Sequence, residues 1–97
     1  MTVDISTFEG QIEVIRMYRP WVRDYLVDSL QNPDFLSELF SIQEARLRYG
    51  YDRWTDRGMF SWGHIRLERE LKEEISDAFN YGGVLCLKTG VHCGKQK

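Results

Sequence analysis

Proline is scarce in this chain, with only Pro20 and Pro33 among 97 residues. Cysteine is equally scarce. Cys86 and Cys93 are the two present, near the C-terminal end, and without a secretory pattern they read as thiols rather than as a disulfide framework. Together with His92 they form C-x5-H-C, and His64 would have to supply a fourth ligand. Structural zinc sites favour two close ligand pairs, and this pattern lacks the second. Charge of one sign is not in excess either. A formal charge of −2 gives no global attraction to a phosphate backbone and is too mild for a nucleic-acid mimic. No apolar run approaches the length of a membrane span, and residues 1–10 lack the basic start and apolar middle of a signal peptide. The expectation is a cytoplasmic protein.

What is present suits a small folded domain. Hydrophobic residues make up 42% and aromatics 13%, enough apolar surface to offset the entropy of ordering the chain. The length suggests one domain near the lower limit for burying its own core. There are no internal repeats or low-complexity segments.

Helical periodicity dominates. Ser6 and Glu9 have capping-box spacing. From there Phe8, Ile12, Ile15, Tyr18, Val22, Tyr25, Leu26 and Leu30 recur at three- and four-residue steps. Pro20 interrupts this helix without breaking its apolar phase, so one kinked helix or two short collinear ones are expected, not a sharp reversal. Asn32-Pro33 stops it and caps the next. The second helix should run to Tyr49, with Gly50 as its C-terminal cap. Its face is Phe35, Leu36, Leu39, Phe40, Ile42 and Leu47, and Gln43 and Arg46 fall inside it. A buried Arg46 would need an acidic partner or would extend its head to water along its apolar stem.

Residues 50–62 show no period and read as a structured loop. In it Trp54, Phe60 and Trp62 serve as packing anchors, and Arg53 and Arg57 keep a binding role open. The third helix is expected from about Trp62 to Leu87, loosened at Gly82-Gly83, with a core face of Leu67, Leu71, Ile75, Ala78, Phe79 and Leu85. His64 reads as a capping or packing histidine. Residues 89–97 form a frayed tail. The expected architecture is an all-α bundle of three to four helices, spanning 1–97 as one domain with a long C-terminal helix.

One stretch carries a chemical hypothesis. Glu70, Glu73, Glu74 and Asp77 stand at i, i+3, i+4 and i+7, and Tyr81 continues the line. Each like-charged neighbour costs about 0.2–0.5 kcal/mol on an exposed helix, so a cation or an arginine cluster opposite would be favourable. Arg66, Arg69 and Lys72 interleave with the acids at pairing distance, which is also how a plain solvated face would look. Glu74 appears at the edge of the expected apolar face, where partial desolvation would increase its gain from a cation.

The segment "ELKEEISDAFNY" resembles the E-x-x-D helix of the MazG-like, all-α nucleoside triphosphate pyrophosphohydrolases. The resemblance implies magnesium held by Glu74 and Asp77, release of pyrophosphate from a nucleoside triphosphate, and assembly as a dimer. It covers about a dozen residues. The family's second acidic pair, E-x-x-E on the preceding helix, is not matched: Glu38 and Glu44 are wrongly spaced, and Glu70 and Glu73 lie on the same helix as the E-x-x-D. Half of the metal site would come from another subunit or be absent.

Two functions follow. The first is a small protein-interaction module, of the kind accessory or phage genes encode. It would engage a basic partner through Glu70, Glu73, Glu74, Asp77 and Tyr81, with Arg46, Arg53 and Arg57 as further binding residues and no cofactor. The alternative is a magnesium-dependent nucleotide pyrophosphohydrolase, or a relative that binds nucleotides without hydrolysing them. Self-association is also expected, because Val14, Met17 and Trp21 lie off the main face of the first helix as a second apolar stripe.

Overall fold

Three α-helices and one 3-10 turn make up the regular structure of a computed structural model that describes residues 3–53 and 58–90. Helix α1 spans Phe8–Ser29, α2 Pro33–Arg53 and α3 His64–Thr89, with the 3-10 turn at Gly58–Ser61. The expected all-α bundle with a long last helix is what forms. Trp54, Arg57, His92 and Cys93 lie outside the described residues, as does the tail beyond Gly90.

The chain separates into two compact units, Met1–Val27 with Glu74–Lys97, and Asp28–Glu73. The first has a true interior. Val14, Tyr18 and Val22 of α1 and Cys86 of α3 are buried to 2–4% exposure, with Val3, Met17, Trp21, Leu26 and Phe79 packed around them. On α1 the buried residues Gly10, Val14, Tyr18 and Val22 follow one another at i+4, a ridge on the helix surface. This corrects the expected second stripe. Val14 is core, and Met17 and Trp21 pack on it, while Phe8 from the expected face is 70% exposed.

The α3 face of this unit also differs from expectation. Leu85 and Ile75 are exposed, whereas Gly83 and Cys86 are buried and Ala78, Phe79 and Gly82 half-buried. The helix is not interrupted at Gly82-Gly83; it is brought close there. A Cβ on Gly82 would stand 2.7 Å from Val22 Cγ1, and one on Gly83 2.9 Å from Ile15 Cδ1. Bare backbone at these two positions is what admits α1.

The entry into α1 is built one residue later than the capping-box spacing suggests. The Gly10 amide donates to Thr7 Oγ1 at 3.0 Å, making Thr7 the cap. Ser6 belongs instead to a turn in which its hydroxyl and its amide both donate to Asp4 Oδ1, at 2.6 and 3.0 Å. Those two bonds, hydroxyl first, hold the Asp4 carboxyl below its usual range. Gly10 fits because a Cβ there would collide with the Asp4 carbonyl. Pro20 sits inside α1 without ending it.

The second unit lacks such an interior. Asn32 caps α2 as expected, its Oδ1 accepting from the amides of Asp34 and Phe35 at 2.9 and 3.1 Å. The helix then runs through Gly50 to Arg53, so Gly50 is not its cap. Among the described residues of Asp28–Glu73 none is buried. Phe35 and Leu36 are half-buried, and Leu39, Phe40, Ile42 and Leu47 are exposed. Leu67 and Leu71 of α3 are exposed too. The expected apolar faces are present, and among the described residues most of their side chains are exposed. Gly58, at φ 58°, opens the 3-10 turn, and Ser61 Oγ donates to its carbonyl at 2.7 Å. The Leu67 amide donates to the carbonyl of Gly63 at 3.0 Å to start α3.

Two outcomes are expected. Gly82→Ala normally gains about 0.5–1 kcal/mol mid-helix; here forced contact with Val22 reverses the sign, with a net loss of about 1–2 kcal/mol, readable as a lower urea midpoint. Asp4→Asn tests the N-terminal turn. Because the folded-state pKa of Asp4 is depressed, its stabilisation is present above the unfolded value of about 3.9 and is lost as pH falls through the folded value. Urea midpoints of wild type and variant should therefore differ near neutrality and converge in acid.

Candidate functional site

Helix α3 carries the acidic residues outward. In the first unit, Glu74 and Asp77 are exposed and Tyr81 is 78% exposed. At about 100° per residue these three lie on the side of α3 opposite Phe79, Gly83 and Cys86, the residues that face the core. Glu74 itself is exposed and stands about 40° around the helix from the half-buried Ala78. The face turned to the core holds the buried Gly83 and Cys86, with Ala78, Phe79 and Gly82 half-buried. In the second unit, Glu70 is half-buried and Glu73 exposed.

The interleaved bases do not neutralise the acids. Among the described residues the ion pairs are Arg23–Asp24 and Arg48–Asp52, both at 3.1 Å. Arg66, spaced to pair with Glu70, instead stacks on the Trp62 ring, 3.7 Å from its centroid. An exposed i,i+4 ion pair contributes about 0.3–0.5 kcal/mol, and a cation over an indole about 0.5–1 kcal/mol. The half-buried Trp62 therefore takes the guanidinium. Glu70, Glu73, Glu74 and Asp77 have no ion-pair partner among the described residues.

The basic candidates sit on α2. Arg53 lies over the Tyr49 ring at 5.0 Å, and Arg48 over Tyr51 at 5.6 Å. Arg46 is exposed and lines a shallow notch of about 350 Å³ with Ile42, Ala45 and Tyr49. All four come from one helix, so the notch is surface relief and not an enclosed pocket. Arg57 lies outside the described residues. Sequence reasoning passed over the cation–ring pairs Arg48–Tyr51, Arg53–Tyr49 and Arg66–Trp62, whose partners stand three or four positions apart, a spacing visible in the sequence.

For magnesium the test is whether carboxylates converge. Among the described residues no three His, Cys, Asp or Glu side chains gather in a group that would hold a metal ion. Glu74 and Asp77, one turn apart, supply two ligands, and a hard cation held at two carboxylates depends on water or phosphate for the rest. Cys86, the one described cysteine, is a buried core thiol. No described helix is long and apolar enough to cross a membrane. No family model, no curated protein and no solved structure matches this chain.

Proposed function

We propose that this protein is an interaction module whose outward α3 surface, centred on Glu74, Asp77 and Tyr81, engages a basic partner. The observation that carries the reading is the absence of any ion-pair partner for these acids among the described residues. Like charges at i+3 and i+4 work against a helix by a few tenths of a kcal/mol per pair. A partner's arginines or lysines would remove that repulsion and form charge-assisted hydrogen bonds. Tyr81 adds an exposed ring face for a cation. The face is opposite the core, so occupying it requires no rearrangement of the unit that carries it. Glu70 and Glu73 continue the acidic positions along α3.

The nucleotide alternative rests on the E-x-x-D at Glu74 and Asp77 and would draw its remaining ligands from outside the described chain. It predicts that magnesium with a nucleoside triphosphate raises the melting temperature, since ligands of the folded state stabilise by mass action. The interaction reading predicts no such shift.

Glu74→Gln with Asp77→Asn keeps the side-chain shapes and removes two charges. The double variant should fold with equal stability or gain a few tenths of a kcal/mol. Its affinity for an arginine-rich helical peptide, read by fluorescence anisotropy, should fall about tenfold at low salt, equivalent to about 1.4 kcal/mol. Wild-type binding should weaken as salt rises. A folded double variant that binds such peptides as tightly as wild type would overturn the reading.

A further inference from the structure

The second unit poses a separate problem. Twelve large apolar side chains between Leu30 and Leu71 are 37–76% exposed, and no described residue of Asp28–Glu73 is buried. At about 150–250 Å² per aromatic and about 100 Å² per aliphatic side chain, they leave about 900 Å² of apolar surface in water. On α2 the apolar positions cover an arc of about 200°. Phe40, Leu47 and Tyr51 lie to one side of the half-buried Leu36 and Gly50, and Ile42 and Tyr49 to the other. An amphipathic helix facing one neighbour needs an apolar stripe of about 100°. An arc twice as wide fits a helix with two neighbours.

We infer that the second neighbour is the same segment of a second copy of this chain, so that α2 and the first half of α3 from each of two protomers form a two-fold symmetric four-helix bundle. Three observations select this occupant. The area fits: about 900 Å² per chain matches the ~800 Å² per partner of a stable interface. The cover must also be permanent. A segment with no buried residue lacks the interior to stay folded between encounters with a transient ligand, and another copy is always present where the chain is made. Finally, the surface complements itself. Arg46 stands within the apolar arc of α2 with no ion-pair partner among the described residues, while the same unit carries Glu70 and Glu73, likewise unpaired. In a two-fold arrangement any contact between one protomer's Arg46 and the acids of the other is made twice. This inference does not rest on the acidic-surface reading, whose centre, Glu74, Asp77 and Tyr81, belongs to the other unit; the two share only Glu70 and Glu73.

Sedimentation equilibrium of the full chain at about 1–50 µM, a range that detects micromolar association, should give twice the 11.5 kDa chain mass. Ile42→Arg should return the chain to the monomer mass, while Phe8→Arg, exposed on the first unit, should leave the dimer intact. In wild type prepared from mixed isotope-labelled and unlabelled chains, filtered NOE spectra should show contacts between Ile42 or Leu71 methyl groups and apolar side chains of the other copy. A monomeric wild type overturns the inference, as does a folded Ile42→Arg variant that dimerises like wild type. If Ile42→Arg does not fold, the mixed-label spectrum decides, and absence of intermolecular contacts at these methyl groups overturns it.

Discussion

The contact on which the first unit depends is the approach of α1 to Gly82 and Gly83. Val22 is the most deeply buried side chain of the core, and it reaches that depth because α3 presents no Cβ opposite it. Ile15 fits against Gly83 in the same way. Two glycines cost a helix about 1–2 kcal/mol in backbone entropy relative to alanine. Dispersion and burial at close range offset that cost, since each atom pair at optimal separation contributes about 0.1–0.2 kcal/mol and a buried aliphatic side chain makes dozens of such contacts. Tyr18, Val14 and Cys86 then complete a small interior around the crossing. The outward side of α3 is free of structural duties as a result, which leaves Glu74, Asp77 and Tyr81 available to solvent.

Much of the fold is legible in the sequence where local chemistry decides it. Asn32-Pro33 combines a side-chain acceptor with a residue that lacks the amide the helix would leave unpaired anyway, and the structure uses both. The apolar phase through Pro20 argues against a sharp reversal, and one helix forms. Legibility falls where two local solutions compete. Ser6 and Glu9 have the spacing of a capping box, but Asp4 captures Ser6 through two hydrogen bonds, and Thr7 becomes the cap. The sequence holds both solutions, and only the turn geometry chooses between them.

Glycine marks the other loss. Gly50 and Gly82-Gly83 read as a stop and a weak point because glycine is poor at holding a helix, yet all three lie inside helices. Gly90, at φ 76°, is where the terminal role is filled. A glycine that ends a helix and one that admits a neighbour look alike in sequence, because the difference belongs to the partner helix. The same blindness misplaced the core face of α3. Of the expected face, Leu67, Leu71, Ile75 and Leu85 are exposed while Ala78 and Phe79 are half-buried, and the fully buried positions are Gly83 and Cys86, which a count of large side chains passes over.

The acidic positions show the limit of spacing as a guide to charge pairing. Arg66 and Glu70 satisfy the i,i+4 rule, but the guanidinium lies over Trp62. Both interactions are worth under about 1 kcal/mol at a surface, so the choice depends on which partner is already held in place. Trp62 and Glu70 are both half-buried, but an indole has two side-chain torsions to fix, whereas a glutamate must surrender more rotamer freedom to pair, at a cost that can reach ~1.5–2 kcal/mol. Stacking therefore wins, and the acid is left uncompensated. An argument from spacing treats every compatible pair as formed. Here the arginine that spacing assigns to Glu70 lies over Trp62, and Glu70, Glu73, Glu74 and Asp77 are left without an ion-pair partner among the described residues.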